Sequence, residues 1–348
     1  MNRIPLHDVI TQNRSIQVAL NDAWNAVNDS GLFINGPQVK QFQRDFSQYI
    51  GTDHCIGVGN ATDGFEITFQ ALGLNAGDEV IIPANAHVSP ALAALKVGLK
   101  PVFCDVDEAR MLLNAETVSA QITDRTKAVV AVHLYGRVCP MSELKKLCEE
   151  HDLLLVEDFS QAHGASFNQQ KVGSIGDVSV CSFYPTKPLG ALGDGGAILT
   201  SNSELAERCL TLANYGWKER DNISIAGRNS RLDELQAAIL NVKLQHLEKW
   251  NADRLEKAKE LQRRIGDSVA EFQNGDVCHL FVLRSARRDE LKRFLVEIGV
   301  DCQVHYPIPI HRQALFNSHV HLPVAENLCK QILSVPVDDR VSGLLVRF

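Results

Sequence analysis

The sequence contains no Cys-x-x-Cys pair, although it has nine cysteines, at positions 55, 104, 139, 148, 181, 209, 278, 302 and 329. An odd number of scattered thiols, several inside apolar runs such as "VFCDV" and "VCSF", excludes a fully paired disulfide framework and reads as reduced core cysteine. Basic runs are missing too. The 35 Lys and Arg residues stand against 42 Asp and Glu, for a net charge of −7, and nothing in the pattern supports a nucleic-acid surface. No apolar run approaches the length of a membrane span, and the N-terminal "MNRIPLHDVITQNRS" has no apolar signal core. The expectation is a cytoplasmic protein with neither nucleic-acid nor membrane partners. Internal repeats, low-complexity tracts and flexible linkers are also lacking. His133, His279, His319 and His321 show no metal-site spacing.

What is present is ordinary globular material. The 348 residues are 45% hydrophobic and 22% charged, enough for one large domain or two smaller ones. Short β-branched runs at 55–59, 79–83, 101–106, 127–134, 153–159, 178–184 and 196–201 read as strands, with helical stretches at 62–72, 87–97, 115–122 and 140–150 between most of the earlier ones. Strands separated by helices of this size pair in parallel through crossovers, and their mostly unbroken apolar character suits a sheet covered on both faces. After residue 201 the texture changes. A helix over 202–215 precedes a longer one near 231–265, whose Leu232, Leu235, Ile239, Val242 and Trp250 fall close to one face. The tail offers a strand in "CHLFVLRS", a helix in "RDELKRFLVEIG", a strand near 301–305 and a helix near 324–333. The reading is α/β: a mostly parallel central sheet covered by helices over 1–240, then a smaller C-terminal α+β domain over 241–348.

Three stretches carry chemistry. In "CSFYPTKPLGALGDGG", 181–196, Lys187 sits between two prolines and ahead of a glycine-rich turn, a frame that a merely solvated lysine does not need. In "LLLVEDFSQAHGA", 153–165, an apolar strand ends at Glu157-Asp158. Ligands of open parallel sheets bind beyond such ends, so Asp158 is either a helix cap or solvated strand end, or an acid aimed into a pocket. In "GVGNATDGFEITFQALG", 57–73, Gly59-Asn60-Ala61-Thr62 joins a strand to a helix N-terminus. That makes it either a plain cap or an anion cradle. It lacks the Walker lysine-serine ending, and its glycines do not fit a dinucleotide fingerprint. Together a phosphate cradle, a carboxylate and a framed amine suggest pyridoxal phosphate, which requires one of each.

The blocks "GNATDGF", "GDEVIIP", "VHLYG", "VEDFSQAHGA", "SFYPTKPLGALGDGGAILT", "GRNSRLDELQAAIL" and "VHYPIPIH" follow one another in this order. The sequence thereby resembles the DegT/DnrJ/EryC1/StrS family of sugar aminotransferases, a branch of the fold-type I pyridoxal-phosphate enzymes, from "FINGPQVKQFQ" at 33–43 to "ILSVPVDD" at 332–339. The resemblance implies that Lys187 binds the cofactor covalently and moves protons. It implies that Asp158 pairs with the pyridine nitrogen and that Gln161 lies beside the ring. Ala61, Thr62 and Ser182 become phosphate ligands, and Asn229 is donated across a homodimer interface to a shared active site. It further implies L-glutamate as amino donor and a keto nucleotide-sugar as acceptor. "PAN" at 83–85 and "GRNSRLDELQAAIL" resemble most the members that aminate a 3-keto deoxyhexose on a thymidine diphosphate carrier. Members acting on 4-keto sugars share most of the same blocks. His305, Tyr306 and His311 stand where the family's small domain meets substrate, or in a structural turn built on Pro307 and Pro309. His163 reads as a packed histidine behind the site.

The sequence departs from the family at several points. His87 in "PANAHVSP" takes the place of a stacking Phe, Tyr or Trp, Pro90 replaces a small polar residue, and Pro188 follows the lysine where Asn is common. The last segment, "VDDRVSGLLVRF", matches poorly, with an early stop in the final helix. Two rivals follow. Dehydratase relatives carry histidine in place of the lysine, against which Lys187 argues directly, and the unusual His87 leaves room for a non-catalytic scaffold or regulatory member.

Overall fold

The computed structural model describes residues 3–219, 221–266 and 269–345. Its centre is a seven-stranded sheet: β1 (His54–Val58), β2 (Glu79–Pro83), β3 (Lys100–Cys104), β4 (Thr126–Val132), β5 (Leu154–Asp158), β6 (Val178–Ser182) and β7 (Gly196–Thr200). The spatial order is β1-β7-β6-β5-β4-β2-β3. Neighbours from β3 to β6 pair in parallel, while β7 runs antiparallel to both β6 and β1. The reversal follows from the connection. Residues 183–195 contain no helix, and a parallel neighbour needs a crossover long enough to hold one. Helix-covered faces explain why β2 and β7 are buried at every position.

Before the sheet lie α1 (Val9–Arg14), α2 (Gln17–Ser30) and α3 (Pro37–Ile50), where the sequence reading assigned no element. The crossovers are α4 (Ala61–Ala71), α5 (Ser89–Lys96), α6 (Ala115–Ser119) and α7 (Met141–Glu150), and α8 (Ser203–Ala213) follows the sheet.

The single long helix expected over 231–265 is two: α9 (Glu234–Leu244) and α10 (Leu247–Ile265). No proline or glycine marks the break. Packing makes it. Helix α9 is held against the large core through Ala237 and Leu240, with Ile239 packed on Ile16 and Leu20 at the start of α2, and its Lys243 Nζ turns inward to donate to the Gly190 carbonyl at 2.8 Å. Helix α10 sends Ala258 and Leu261 into a second apolar cluster with Phe281, Leu283, Leu295 and Leu333. Ile4 joins that cluster and bridges in parallel to Val300, so the first residues of the chain pack with the last hundred.

The tail holds β8 (Phe281–Arg284), α11 (Arg288–Glu297), α12 (Pro323–Gln331), β9 (Ile332–Val335) and α13 (Asp339–Leu345). The expected strand near 301–305 reduces to one bridge, Gln303 to Ser334. The helix expected through 333 ends at Gln331, because residues 332–335 pair antiparallel with β8 instead. The final residues of the expected shortened helix, 346–348, lie outside the described residues. Among the described residues, no helix is long and apolar enough to cross a membrane, and no group of three or more candidate side chains could hold a metal ion.

Candidate active site

The carboxyl ends of β1, β2, β4, β5 and β6 open on one side of the sheet, and a cavity of about 830 Å³ lies there. Ala61, Thr62, His87, Asp158, Gln161, Ser182, Lys187, His305 and Tyr306 all line it. Two of the expected residues do not. Asn229 is exposed on the loop that bridges to Asn214. His311 is fully buried, with Nε2 3.0 Å from Glu326 Oε1 and its ring tilted against Phe103. In this chain His311 anchors a turn rather than facing the cavity.

Each wall follows from local sequence. Asn60 caps α4, its Oδ1 accepting from the Asp63 N–H at 2.9 Å. The N–H groups of Ala61 and Thr62 therefore begin the helix with no acceptor inside it, and both residues face the cavity. Gly196 lies directly behind this turn. A Cβ there would come within 2.7 Å of the Asn60 carbonyl carbon, so only glycine lets β7 pass so close.

Asp158 closes β5 and is 6% exposed. Its Oδ1 accepts from the Ser160 N–H at 3.0 Å. Gln161 is clamped at both ends, Oε1 accepting from the Tyr135 N–H at 2.7 Å and Nε2 donating to the Tyr306 hydroxyl at 3.3 Å. Tyr135 sits at φ +66°, a conformation that costs a non-glycine residue energy. The next residue, Gly136, lets the strand approach residue 277, where a Cβ would meet the Val277 oxygen at 2.3 Å.

The frame around Lys187 is now visible. Its N–H donates to the Tyr184 carbonyl at 2.8 Å. Downstream, the Leu189 N–H donates to His163 Nδ1 at 3.3 Å, the Gly190 carbonyl accepts from Lys243, and the Leu192 N–H donates to Gln236 Oε1 at 2.8 Å. The loop after β5, through His163, and α9, through Gln236 and Lys243, thus hold one turn. Burial lowers the pKa of the Lys187 amine, with the Asp158 carboxylate opposing that effect.

Histidines surround this amine, and burial is the first cause of a lowered pKa in each. His163 falls to about 3, with Lys187 adding to the effect, and its ring is stacked on Phe183. His305 falls to about 4, again with Lys187 contributing, and its Nδ1 lies 2.9 Å from Ser334 Oγ. His87 is lowered as well, with Asp158 opposing. Two further members escaped the sequence reading. His7 falls to about 4, and His279 is lowered well below the usual value. Their rings stack at 5.1 Å between centroids, and both line the cavity. His279 was weighed only as a metal ligand, and nothing in "IPLHD" marks His7. Around the lysine the imidazoles are neutral at neutral pH.

Behind the sheet, buried His133 contacts Glu157 Oε2 at 3.0 Å. Its Nδ1 accepts from the Cys139 N–H at 3.1 Å, so the ring's one proton lies on Nε2, directed at the carboxylate. Glu157 also accepts from the N–H groups of Gly173, Ile175 and Gly176. It is a structural acid.

Comparison with known proteins agrees with this geometry. The chain is 38% identical over 345 residues to a dTDP-3-amino-3,4,6-trideoxy-alpha-D-glucose transaminase of Streptomyces venezuelae, covering 96% of this chain and 91% of that protein. It is equally 38% identical, over 346 residues, to a pleiotropic regulatory protein of Geobacillus stearothermophilus, covering 96% and 93%. The crystal structure of S. venezuelae DesV in complex with a ketimine intermediate superposes with a TM-score of 0.95 at 35% identity, covering 100% of this chain and 97% of that one. The model of the DegT/DnrJ/EryC1/StrS aminotransferase family matches residues 14–344, and the chain belongs to that family.

Proposed function

We propose that the protein transfers an amino group from L-glutamate to the keto group of a nucleotide-sugar, with pyridoxal phosphate as cofactor. The observation that carries this reading is the convergence of a framed amine, a strand-end carboxylate and a helix N-terminus on one cavity. The donor set suits the cofactor. The free N–H groups of Ala61 and Thr62, with the hydroxyls of Thr62 and Ser182, are neutral donors matched to a phosphate. Asp158 offers a carboxylate to the pyridine nitrogen, and Lys187 an amine for covalent attachment. When bound, pyridoxal phosphate supplies an electron sink that stabilises negative charge on the donor's α-carbon.

The chain's own residues do the rest. Lys187 Nζ would take the proton from the donor α-carbon in the first half-reaction and deliver a proton to the amino-receiving carbon of the sugar in the second. Its lowered pKa favours the neutral amine that this task needs. The Asp158 carboxylate would face the pyridine nitrogen and favour its protonated form. Gln161, fixed by Tyr135 and Tyr306, orients the ring from its side, and His87 and Tyr306 border the open part of the cavity. His305 is the second candidate for sugar contact.

The name of the S. venezuelae relative supports a 3-keto deoxyhexose on a thymidine diphosphate carrier. A 4-keto nucleotide-sugar is the alternative acceptor. Asn229, exposed in one chain, fits donation to a partner's site in a homodimer, and residues 241–348 fit a smaller domain that closes on substrate. A regulatory role has one observation in its favour, the name of the Geobacillus relative. The test is direct. The purified protein should show a visible cofactor absorbance that glutamate bleaches, and mass spectrometry should detect amino transfer to 3-keto but not to 4-keto nucleotide-sugars. A colourless protein inert to all of them would favour the regulatory reading.

A further inference from the structure

Pro5, Leu6 and His7, together with His279 and Leu280, line both the main cavity and a second one of about 320 Å³. This segment is therefore the wall they share. Lys187 also lines both. The second cavity stands at the lower end of the size range for small-molecule sites, too small for a nucleotide-sugar.

It contains a cation, Arg254, with no ion-pair partner among the described residues. Nη1 of Arg254, on α10, is buried and has no hydrogen-bond partner among the described residues. The acids lining the same cavity are engaged elsewhere. Asp338 pairs with Arg340 at 2.7 Å, Asp253 with Lys249 at 2.8 Å, and Asp8 accepts from the Thr11 N–H at 3.0 Å. Lys257 adds a further positive charge to the lining. A buried guanidinium left in this state is costly, and a visiting carboxylate removes the cost through two parallel charge-assisted hydrogen bonds.

The stacked rings of His7 and His279 set the distance. Lys187 lines both cavities and Arg254 only the second, and the two rings, 5.1 Å between centroids, stand in the wall between them. A ligand that meets both cations must carry its amine and its carboxylate on well-separated atoms. We infer that the second cavity binds the distal carboxylate of a dicarboxylic amino donor, with Arg254 as its partner and the donor's amine directed past His7 and His279 at Lys187. The inference rests on the aminotransferase reading.

Arg254→Met keeps the apolar stem and removes the fork. The expected result is a KM for L-glutamate raised about ten- to a hundredfold, the worth of a lost charge-assisted contact. Transfer from L-alanine, which has no distal carboxylate, stays unchanged, as does the acceptor half-reaction. Arg254→Lys, with a point charge in place of the fork, gives an intermediate KM, and it supplies the same comparison if the methionine variant does not fold. Titration calorimetry with glutarate provides a readout independent of turnover, with binding to the unmodified holoenzyme and none to Arg254→Met. An unchanged glutamate KM overturns the inference, as does a loss shared equally with alanine and the sugar, or an unmodified holoenzyme that does not bind glutarate. If the unmodified protein transfers no amino group at all, the functional reading fails instead, and the glutarate titration still decides the site.

Discussion

The hydroxyl of Ser89 lies 2.7 Å from Nδ1 of His87, and the Ser89 N–H points to the same nitrogen at 3.3 Å. Nδ1 is thus an acceptor, and the ring carries its proton on Nε2. Thr62 Oγ1 in turn lies 3.0 Å from Ser89 Oγ. One hydroxyl therefore ties the start of α4 to the imidazole that borders the cavity. His87 is held by this chain and by an edge-on contact with Tyr306 at 5.6 Å.

His87→Tyr tests that arrangement. Tyr offers more ring area, so cofactor retention after dialysis should be equal or better. It cannot accept from Ser89 in the same way, and it fills space beside Tyr306, so kcat/KM for the sugar should fall about tenfold or more. Poorer cofactor retention with unchanged sugar turnover would place His87 away from the ring face.

Lys187→Ala should reduce amino transfer to below about a hundredth of the unmodified rate, because attachment and proton movement both depend on this amine. The fold should not suffer. A base whose pKa is lowered by folding loses proton affinity there, so its charge opposes folding at every pH where the unfolded lysine is protonated. The thermal midpoint at neutral pH should be unchanged or slightly higher. A variant with more than a few per cent of the original turnover would remove Lys187 from its role.

Asp158→Asn separates charge from shape. An amide oxygen can still accept from the Ser160 N–H, now 3.0 Å from Oδ1, so the β5 end should keep its form and the protein its colour. Without the negative charge the glutamate half-reaction, followed by stopped-flow absorbance, should slow by about two orders of magnitude. A near-normal rate would make Asp158 a cap.

Much of this site was legible because its residues lie in compact blocks at strand ends, where period and apolar content change abruptly. Asp158, Lys187 and Ala61-Thr62 are of that kind. The parallel part of the sheet was legible for the same reason. The first three helices were not assigned, although Val39, Phe42, Phe46 and Ile50 are buried on one face of α3 at a helical spacing that could have revealed it. His7 and His279 could not be found in this way. They meet because Ile4 bridges to Val300 and because Val277 and His279 hydrogen-bond to Gly136 and Tyr135, contacts between segments far apart in sequence. The break between α9 and α10 was hidden for a related reason, since it depends on which core each half packs against. His311 shows the converse, a residue in a recognisable block whose partner, Glu326, draws it away from the cavity.

That partner gives a pH prediction. Glu326 Oε1 lies 3.0 Å from His311 Nε2 and accepts from Arg312 at 2.9 Å and from the Leu322 N–H at 3.2 Å. The His311 hydrogen bond, followed by those of Leu322 and Arg312, lowers the carboxyl from 4.5 to about 2, against a smaller opposing effect of burial. A carboxyl with a depressed folded-state pKa adds stability that is fully present above its unfolded value and is lost as the pH falls through the folded one. The contribution is therefore intact above about pH 4.5 and vanishes towards pH 2. Glu326→Gln cannot carry the charge, so its thermal midpoint should lie below that of the unmodified protein by about 1 to 2 °C at neutral pH, a small effect because the group is partly open to solvent. The gap should narrow as the pH falls from 4.5, and differential scanning fluorimetry across that range measures it. A gap that stays constant to the lowest pH at which both proteins remain folded would mean that Glu326 holds the His311 turn by shape rather than by charge.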